Sequence, residues 1–490
     1  MRKHQQKQIL DVLKTIEQAQ SAKLYGDCQE GALSLCDFIE SIEGNESAGA
    51  EVVSLLVDYC ELLFKANSGE VGEKTLRKHL VKIENGVTYN LKANRIEMAF
   101  ISYKAAMADS LETIYLAAKA DPNCDAYFIP IPYYEMLPNG QRGQLHYEGE
   151  EFYDSNKITI THYKDYNIEQ RQPCAIFHFN PYDAGNLVTN VHPDYHFSKL
   201  KNFTDMLVYV PYFFTGAMHY DLTVNLPGVV YSNKVILWLN EMKKGCIDEI
   251  KKQTTGISRS YLEDKFVVLG SPKIDKVMNS KKEDYTLPNE WSCLVYDKRV
   301  VLYNTSLHSL LNSTDNYLSL IEQTLQAFKA NPSVVLWWRP HPLIITTLSS
   351  MRWGYLERYL KILNSYKAEG WGVLDETQCF HRAITFADAY YGDRKSSVSS
   401  MCIAAGKPCM KAVINENNEL EFGMYSFVEG LEKAIVTPQD FISYILEDYA
   451  VSEERRSKMK AGYASRGLDR SGMVGQKIYE HIKGCVSEQS

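Results

Sequence analysis

A change of hydrophobic period near residue 125 constrains this chain more than any other feature. Before it, QQKQILDVLKTIEQAQ, CQEGALSLCDFIESIE, GAEVVSLLVDYCELLFKA and ANRIEMAFISYKAAMADSLETIYLAAKA repeat apolar residues at three- and four-residue spacing. That is the period of helices with one buried face. After it, short apolar runs end in polar, Pro or Gly residues: DAYFIPIPYYE, CAIFHFNPYD (174–183), DMLVYVPYFF (205–214), GVVYSNKVILWL (228–239) and KFVVLGSPKID (265–275). PNGQRGQLHYEGEE carries the turn residues of a hairpin. Helical stretches such as KVILWLNEMKKGCIDEIKKQ lie between several of the runs.

The alternation then starts again. RVVLYNTS (299–306), SVVLWWRPHPL (333–343), WGVLDE, ADAYYGD and KPCMKAVI read as strands, with NYLSLIEQTLQAFKA, RWGYLERYLKILNSYKA, TQCFHRAITFA and SSVSSMCIAAG as the helices between them. Strand–helix alternation favours parallel sheets covered by helices. At 490 residues the chain is too long for one core. The pattern therefore predicts a helical region over 1–120, a Rossmann-like domain over 121–285 and a second over 286–490, closed by C-terminal helices, with TLPNEWS as the linker. This is an α/β, GT-B-like arrangement of two facing Rossmann-like domains.

Composition removes several classes. With 53 basic and 61 acidic residues the net charge is −8, which gives no overall affinity for nucleic acid. The eleven cysteines form no CxxC and no cluster of zinc-ligand spacing, so no metal centre is expected and a reducing cytoplasm is. The first residues, MRKHQQKQILDVLKTIEQ, lack the apolar core of a signal peptide. No run approaches the roughly 20 apolar residues of a membrane span, leaving at most peripheral contact with the plasma membrane's inner face. MRWGYLERYLKILNSYK (351–367) could make such a contact, although an amphipathic helix packed on a sheet has the same pattern.

Ligands of open parallel sheets bind outside the carboxyl ends of the strands. Three polar clusters of the second domain stand there: Asn304-Thr305-Ser306, Arg339-Pro340-His341-Pro342, and Gly392-Asp393 followed by Ser396-Ser397. A helix starting near Ser396 presents unpaired N–H groups and a partial positive charge, which suits phosphate. Arg339 and His341 could pair with the same phosphates. Asp393 would accept from a hydroxyl or orient His341. The plain alternative makes Ser396 or Ser397 an N-cap, Gly406 the residue past the helix end and Asp393 a turn residue. In the first domain His178, Asn180 and Asp183 follow a buried strand, with His192, His196 and His219 beyond. A general base could come from this group, though a single histidine is as readily structural.

WWRPHPL together with ADAYYGDRKSSVSSMCIAAGKPCM resembles the C-terminal half of the CDP-glycerol glycerophosphotransferases, the teichoic-acid primase and polymerase family. GSPKID resembles an element at the end of that family's first domain. The resemblance covers about 125–484 and leaves 1–120 without a counterpart. It implies a two-domain GT-B fold and transfer of glycerol phosphate, or another polyol phosphate, from a CDP-activated donor to the hydroxyl of a polymeric or lipid-linked acceptor. It links Arg339, His341, Asp393, Ser396 and Ser397 to the donor pyrophosphate, with Thr305 at the same edge, and makes Lys407-Pro408 a structural turn. Displacement would proceed without a metal or other cofactor, with His219, Asp183 or His178 taking the acceptor proton. Two departures stand out: the family's Trp-His-Gly-Thr-like element is missing, and Arg394-Lys395 precede the serine pair. Two other functions fit the same edge, a GT-B glycosyltransferase using a nucleotide sugar and a non-catalytic nucleotide-binding or assembly protein.

Overall fold

The computed structural model describes every residue except 44–46, 93–94, 138, 150–157, 187, 216–217, 378, 394–395, 415–416, 418, 425–436, 448–452 and 489–490. Arg394-Lys395 thus lie outside the described residues. The chain divides into two compact units. One comprises 1–98, 119–126 and 486–490, the other 99–118 and 127–485.

The first unit is built on four helices, Lys3–Ser21, Tyr25–Glu43, Ser47–Asn67 and Glu73–Asn85. Ile9, Leu13 and Ile16 on the first, Val52, Leu56, Tyr59 and Leu63 on the third, and Leu76, Leu80 and Ile83 on the fourth are buried together. Spacings of three and four put each set on one helix face, so the periodicity reads directly as the core.

Among the described residues fifteen strands follow these helices: β1 (Ile96–Ser102), β2 (Cys124–Pro130), β3 (Tyr133–Met136), β4 (Arg142–His146), β5 (Ala175–His178), β6 (Thr189–Val191), β7 (Met206–Tyr209), β8 (Lys234–Leu237), β9 (Phe266–Val268), β10 (Arg299–Thr305), β11 (Val334–Pro340), β12 (Val373–Leu374), β13 (Ala389–Gly392), β14 (Cys409–Ile414) and β15 (Leu420–Met424). One sheet runs β2-β1-β5-β7-β8-β9, a second β12-β11-β10-β13-β14-β15, and a small third β4-β3-β6. In the second sheet every neighbouring pair is parallel except the antiparallel edge strand β15. Its order is that of a doubly wound domain, with the chain reversing direction across the sheet between β10 and β13. The first sheet reverses in the same way between β1 and β5.

Two local readings of the sequence are corrected. Residues 96–102 form a strand, not part of a helix. Met98 to Ser102 are all buried in the middle of the sheet, and a strand enclosed on both faces shows no two-residue alternation. The stretch starting at Lys234 is strand β8 first, and its helix begins only at Asn240.

The C-terminal helix Val474–Glu488 is fixed by Asp275 on the helix Pro272–Asn279. The Asp275 carboxylate accepts from Val474 N–H at 2.8 Å and Gly475 N–H at 2.7 Å, capping a helix start almost 200 residues away. Among the described residues no helix is long and apolar enough to cross a membrane.

Candidate functional site

The register of the second sheet brings the three polar clusters to one edge. Asn304 of β10 lies opposite Arg339 of β11 on one side and Gly392 of β13 on the other. Gly392 has φ +130°, and a Cβ there would fall onto the Asn304 carbonyl oxygen. Only glycine permits this approach of β10 and β13. Asn304 in turn donates its side-chain amide to the Arg339 carbonyl at 3.0 Å, joining all three strand ends.

Asp393 is 1% exposed and works as an acceptor for hydroxyls. It binds the Ser306 hydroxyl and, at 2.7 Å, that of Ser309. Ser306 is the N-cap of the short helix Leu307–Asn312, so Asp393 fastens the β10 exit to the β13 exit. The Thr305 hydroxyl is fully buried and accepts from the Trp338 indole at 3.2 Å, a packing role.

Arg339 is held from behind. Its guanidinium meets the fully buried Asp375 at 2.9 Å and donates to the Thr377 carbonyl. Asp375 also accepts from Trp337, Thr377 and Arg382. Arg339 is therefore committed to shaping the loop after β12. His341 is placed differently. Its backbone N–H donates to the Thr305 carbonyl at 3.0 Å, and its Nδ1 accepts from Leu343 N–H at 3.2 Å. Partial burial lowers its pKa, so the ring is neutral near pH 7. With Nδ1 an acceptor, the proton sits on Nε2, ready to donate to a ligand.

The helix Ser397–Ala404 starts at the same edge. Ser396 is its N-cap, its hydroxyl accepting from Val398 N–H at 3.1 Å. The half-buried Ser397 occupies the first helical position, where the helix dipole is positive. Lys407 donates to the Ala387 carbonyl after the helix ends, and burial lowers its pKa.

The first-domain candidates separate by environment. His178 is fully buried, stacked on Phe197, with Nδ1 3.1 Å from the Ile101 carbonyl. Burial lowers its pKa to about 4. Asp183 caps the helix Phe197–Leu200, accepting from Phe197 N–H at 2.7 Å and from both donors of Ser198. His196 binds the Val191 carbonyl at 3.2 Å and His192 caps the turn that follows it. His219 is the exposed member, at the start of the helix Tyr220–Thr223. His178 and Asp183 thus hold backbone, while His219 faces solvent.

One cluster escaped the sequence reading. Asp109, just after β1, accepts from Lys273 at 2.5 Å and from His381 Nε2 at 2.9 Å, and all three are at most 5% exposed. The two partners hold the Asp109 carboxyl far below its ordinary range despite burial. Its members are 164 and 108 positions apart, so no spacing rule could have joined them. Among the described residues no group of side chains could hold a metal ion.

No family model matches the chain, and no curated protein matches it. Solved structures do. A putative UDP-N-acetylglucosamine 2-epimerase from Listeria monocytogenes matches with a TM-score of 0.50 and 14% identity, over 81% of this chain and 98% of that one. S. aureus MnaA, in a co-structure with UDP, gives 0.49 and 13% over 80% and 97%. Anabaena Alr3699/HepE in complex with UDP-glucose gives 0.40 and 13% over 81% and 99%. With the strand order of the two large sheets, the Listeria match shows the fold as the GT-B type, two Rossmann-like domains, as the strand pattern predicts.

The resemblance to CDP-glycerol glycerophosphotransferases is overturned, and with it the phosphotransferase assignment. Several of the structural neighbours are named as UDP-N-acetylglucosamine 2-epimerases and none as a glycerophosphotransferase among those reported, and no family model supports the motif match. The motif residues explain why it misled. Gly392 is demanded by strand contact, Ser396 by helix capping and Lys407 by a buried carbonyl, and Arg339 is engaged by Asp375. These are requirements of a doubly wound domain's exit edge rather than of one chemistry.

Proposed function

We propose that the protein is a nucleotide-sugar enzyme that binds the diphosphate of a nucleoside diphosphate sugar at the β10/β13 switch point. The observation that carries this reading is His341: a neutral ring whose Nε2–H is the donor, held after β11 at the same sheet edge from which the helix Ser397–Ala404 starts after β13, with β10 between them. A preorganised donor and a positive helix end stabilise the charge that develops on a departing nucleoside diphosphate. Arg339 is a positioning residue that acts through Asp375. The GT-B fold, and the naming of a similar structure as a UDP-N-acetylglucosamine 2-epimerase, favour a uridine nucleotide.

The test is calorimetry with UDP, UDP-N-acetylglucosamine, UDP-glucose, GDP-mannose and CDP-glycerol, on the wild type and Ser397→Glu. A carboxylate at the first helical position stabilises the helix by about 0.3–1 kcal/mol but repels phosphate. Uridine-nucleotide binding that vanishes in a variant at least as stable as the wild type is the expected result. Binding unaffected by Ser397→Glu, or no binding of any nucleotide, would overturn the site.

A further inference from the structure

A second site lies away from this edge, in the first domain. A cavity of about 250 Å³ is lined by Val224, Val229, Ile250, Ile257, Leu262 and Lys265, among others. That is below the roughly 300–1,000 Å³ of sites for drug-sized ligands, so its occupant is small. Lys265 ends the helix Arg259–Lys265 and is only 5% exposed. Its ammonium donates to the carbonyls of Val230 at 3.1 Å and Ser232 at 2.6 Å and lies 5.8 Å from the centre of the Tyr261 ring, so its neighbours are two carbonyls and an aromatic face, with no anion among them.

Three observations make this more than a lysine closing a helix end. First, no acidic residue is among those lining the cavity. The carboxylates on Lys265's own helix are engaged elsewhere, Asp264 by Lys234 at 2.5 Å and Glu263 by Lys243 at 2.9 Å. Second, the charge acting on Lys265 from the neighbouring elements is that of Lys201, another cation. Burial and Lys201 together lower the Lys265 pKa to about 8. Third, the exposed rim of the lining is mixed: Val230 and Tyr261 are each 52% exposed, and Asn225, Gln253 and Thr254 are exposed beside them. Among the described residues that line the cavity no carboxylate balances the buried ammonium, and such a charge is costly unless an anion joins it.

We propose that this cavity is a binding site for a small amphiphilic anion, a carboxylate with a short hydrocarbon tail, whose head group pairs with Lys265 and whose tail lies along the Val229, Ile250 and Ile257 side chains. The site is independent of the nucleotide edge.

The test is calorimetry with sodium octanoate, and with octan-1-ol as the uncharged analogue. Three variants accompany the wild type: Lys265→Met, Thr254→Trp and Ser397→Glu. Thr254 lines the cavity and is exposed, so tryptophan there plugs the mouth without disturbing Lys265. Octanoate should bind the wild type and Ser397→Glu equally, about tenfold more weakly to Lys265→Met, and not measurably to Thr254→Trp. Octanol should bind the wild type and Lys265→Met alike. A carboxylate beside Lys265 raises its pKa, so octanoate binding should take up more protons at pH 9 than at pH 7. Octanoate binding that survives Thr254→Trp, or that is as tight in Lys265→Met as in the wild type, would overturn the proposal. So would failure of the wild type to bind octanoate at millimolar concentration.

Discussion

The carbonyl oxygen of Asn304 occupies the space that a side chain at Gly392 would need. The two residues are register partners on the adjacent parallel strands β10 and β13, at the point where the chain reverses across the sheet. Their contact sets the width of the exit edge, and the Asp393–Ser306 bond and the His341–Thr305 backbone bond close it on either side.

Gly392→Ala should therefore cost stability beyond the ordinary price of a surface change. Both the φ of +130° and the Asn304 carbonyl oppose a Cβ. A loss of about 2–4 kcal/mol in chemical denaturation is expected. A loss under about 0.5 kcal/mol would mean the strands separate there easily.

Replacing Asp393 by Ala leaves the hydroxyls of Ser306 and Ser309 without their shared acceptor. The expected destabilisation is about 1–3 kcal/mol, with Asp393→Asn losing less. Nucleotide affinity should fall in both, because the β10 exit is no longer fastened to the β13 exit. Urea denaturation and calorimetry of the same samples measure the two effects.

If Arg339 acts through Asp375, then Arg339→Lys and Asp375→Asn should weaken nucleotide binding to a similar degree. Lysine cannot reproduce the forked contact with both Asp375 and the Thr377 carbonyl. A direct phosphate contact would instead make the Arg339 change the more severe one.

His178 carries a pH prediction. Its folded pKa of about 4 lies below the ordinary 6.5, so the folded state excludes a proton that the unfolded chain binds. Stability from this group is complete above pH 6.5 and declines as pH falls toward 4. His178→Gln should flatten the slope of unfolding free energy between pH 6.5 and 4 relative to wild type. Parallel slopes would remove His178 from the account.

The Asp109–Lys273 pair should behave as a buried unit. Lys273→Met alone is expected to cost about 3–5 kcal/mol, since it leaves Asp109 buried with only His381 as partner. Asp109→Leu combined with Lys273→Met should cost less than the sum of the two single changes. A double-mutant cycle by thermal denaturation reads the coupling directly.

Much of the fold is legible in the residues because each element signals locally. The helices of the first 91 residues follow from apolar spacing, and strands β10 to β14 from short apolar runs closed by Pro, Gly or polar residues. Strand β1 is not legible. Its burial on both faces removes the alternation that distinguishes a strand, and only the neighbours β2 and β5 make it one. The site divides along the same line. His341 and Ser397 stand at an edge that the strand pattern locates. Arg339, Asp393 and Thr305 are the same residue types, but their side chains are spent on Asp375, on two serines and on Trp338.

The order of strands and helices, and the edge at which their polar ends gather, are local properties of the chain, carried by periodicity and turn chemistry. Which of those polar side chains remain open to a ligand depends on partners tens or hundreds of residues away, and hydrogen bonds and burial of that range exist only once the sheets have packed. The same holds for Asp109 with Lys273 and His381, and for Lys265 at the wall of its cavity.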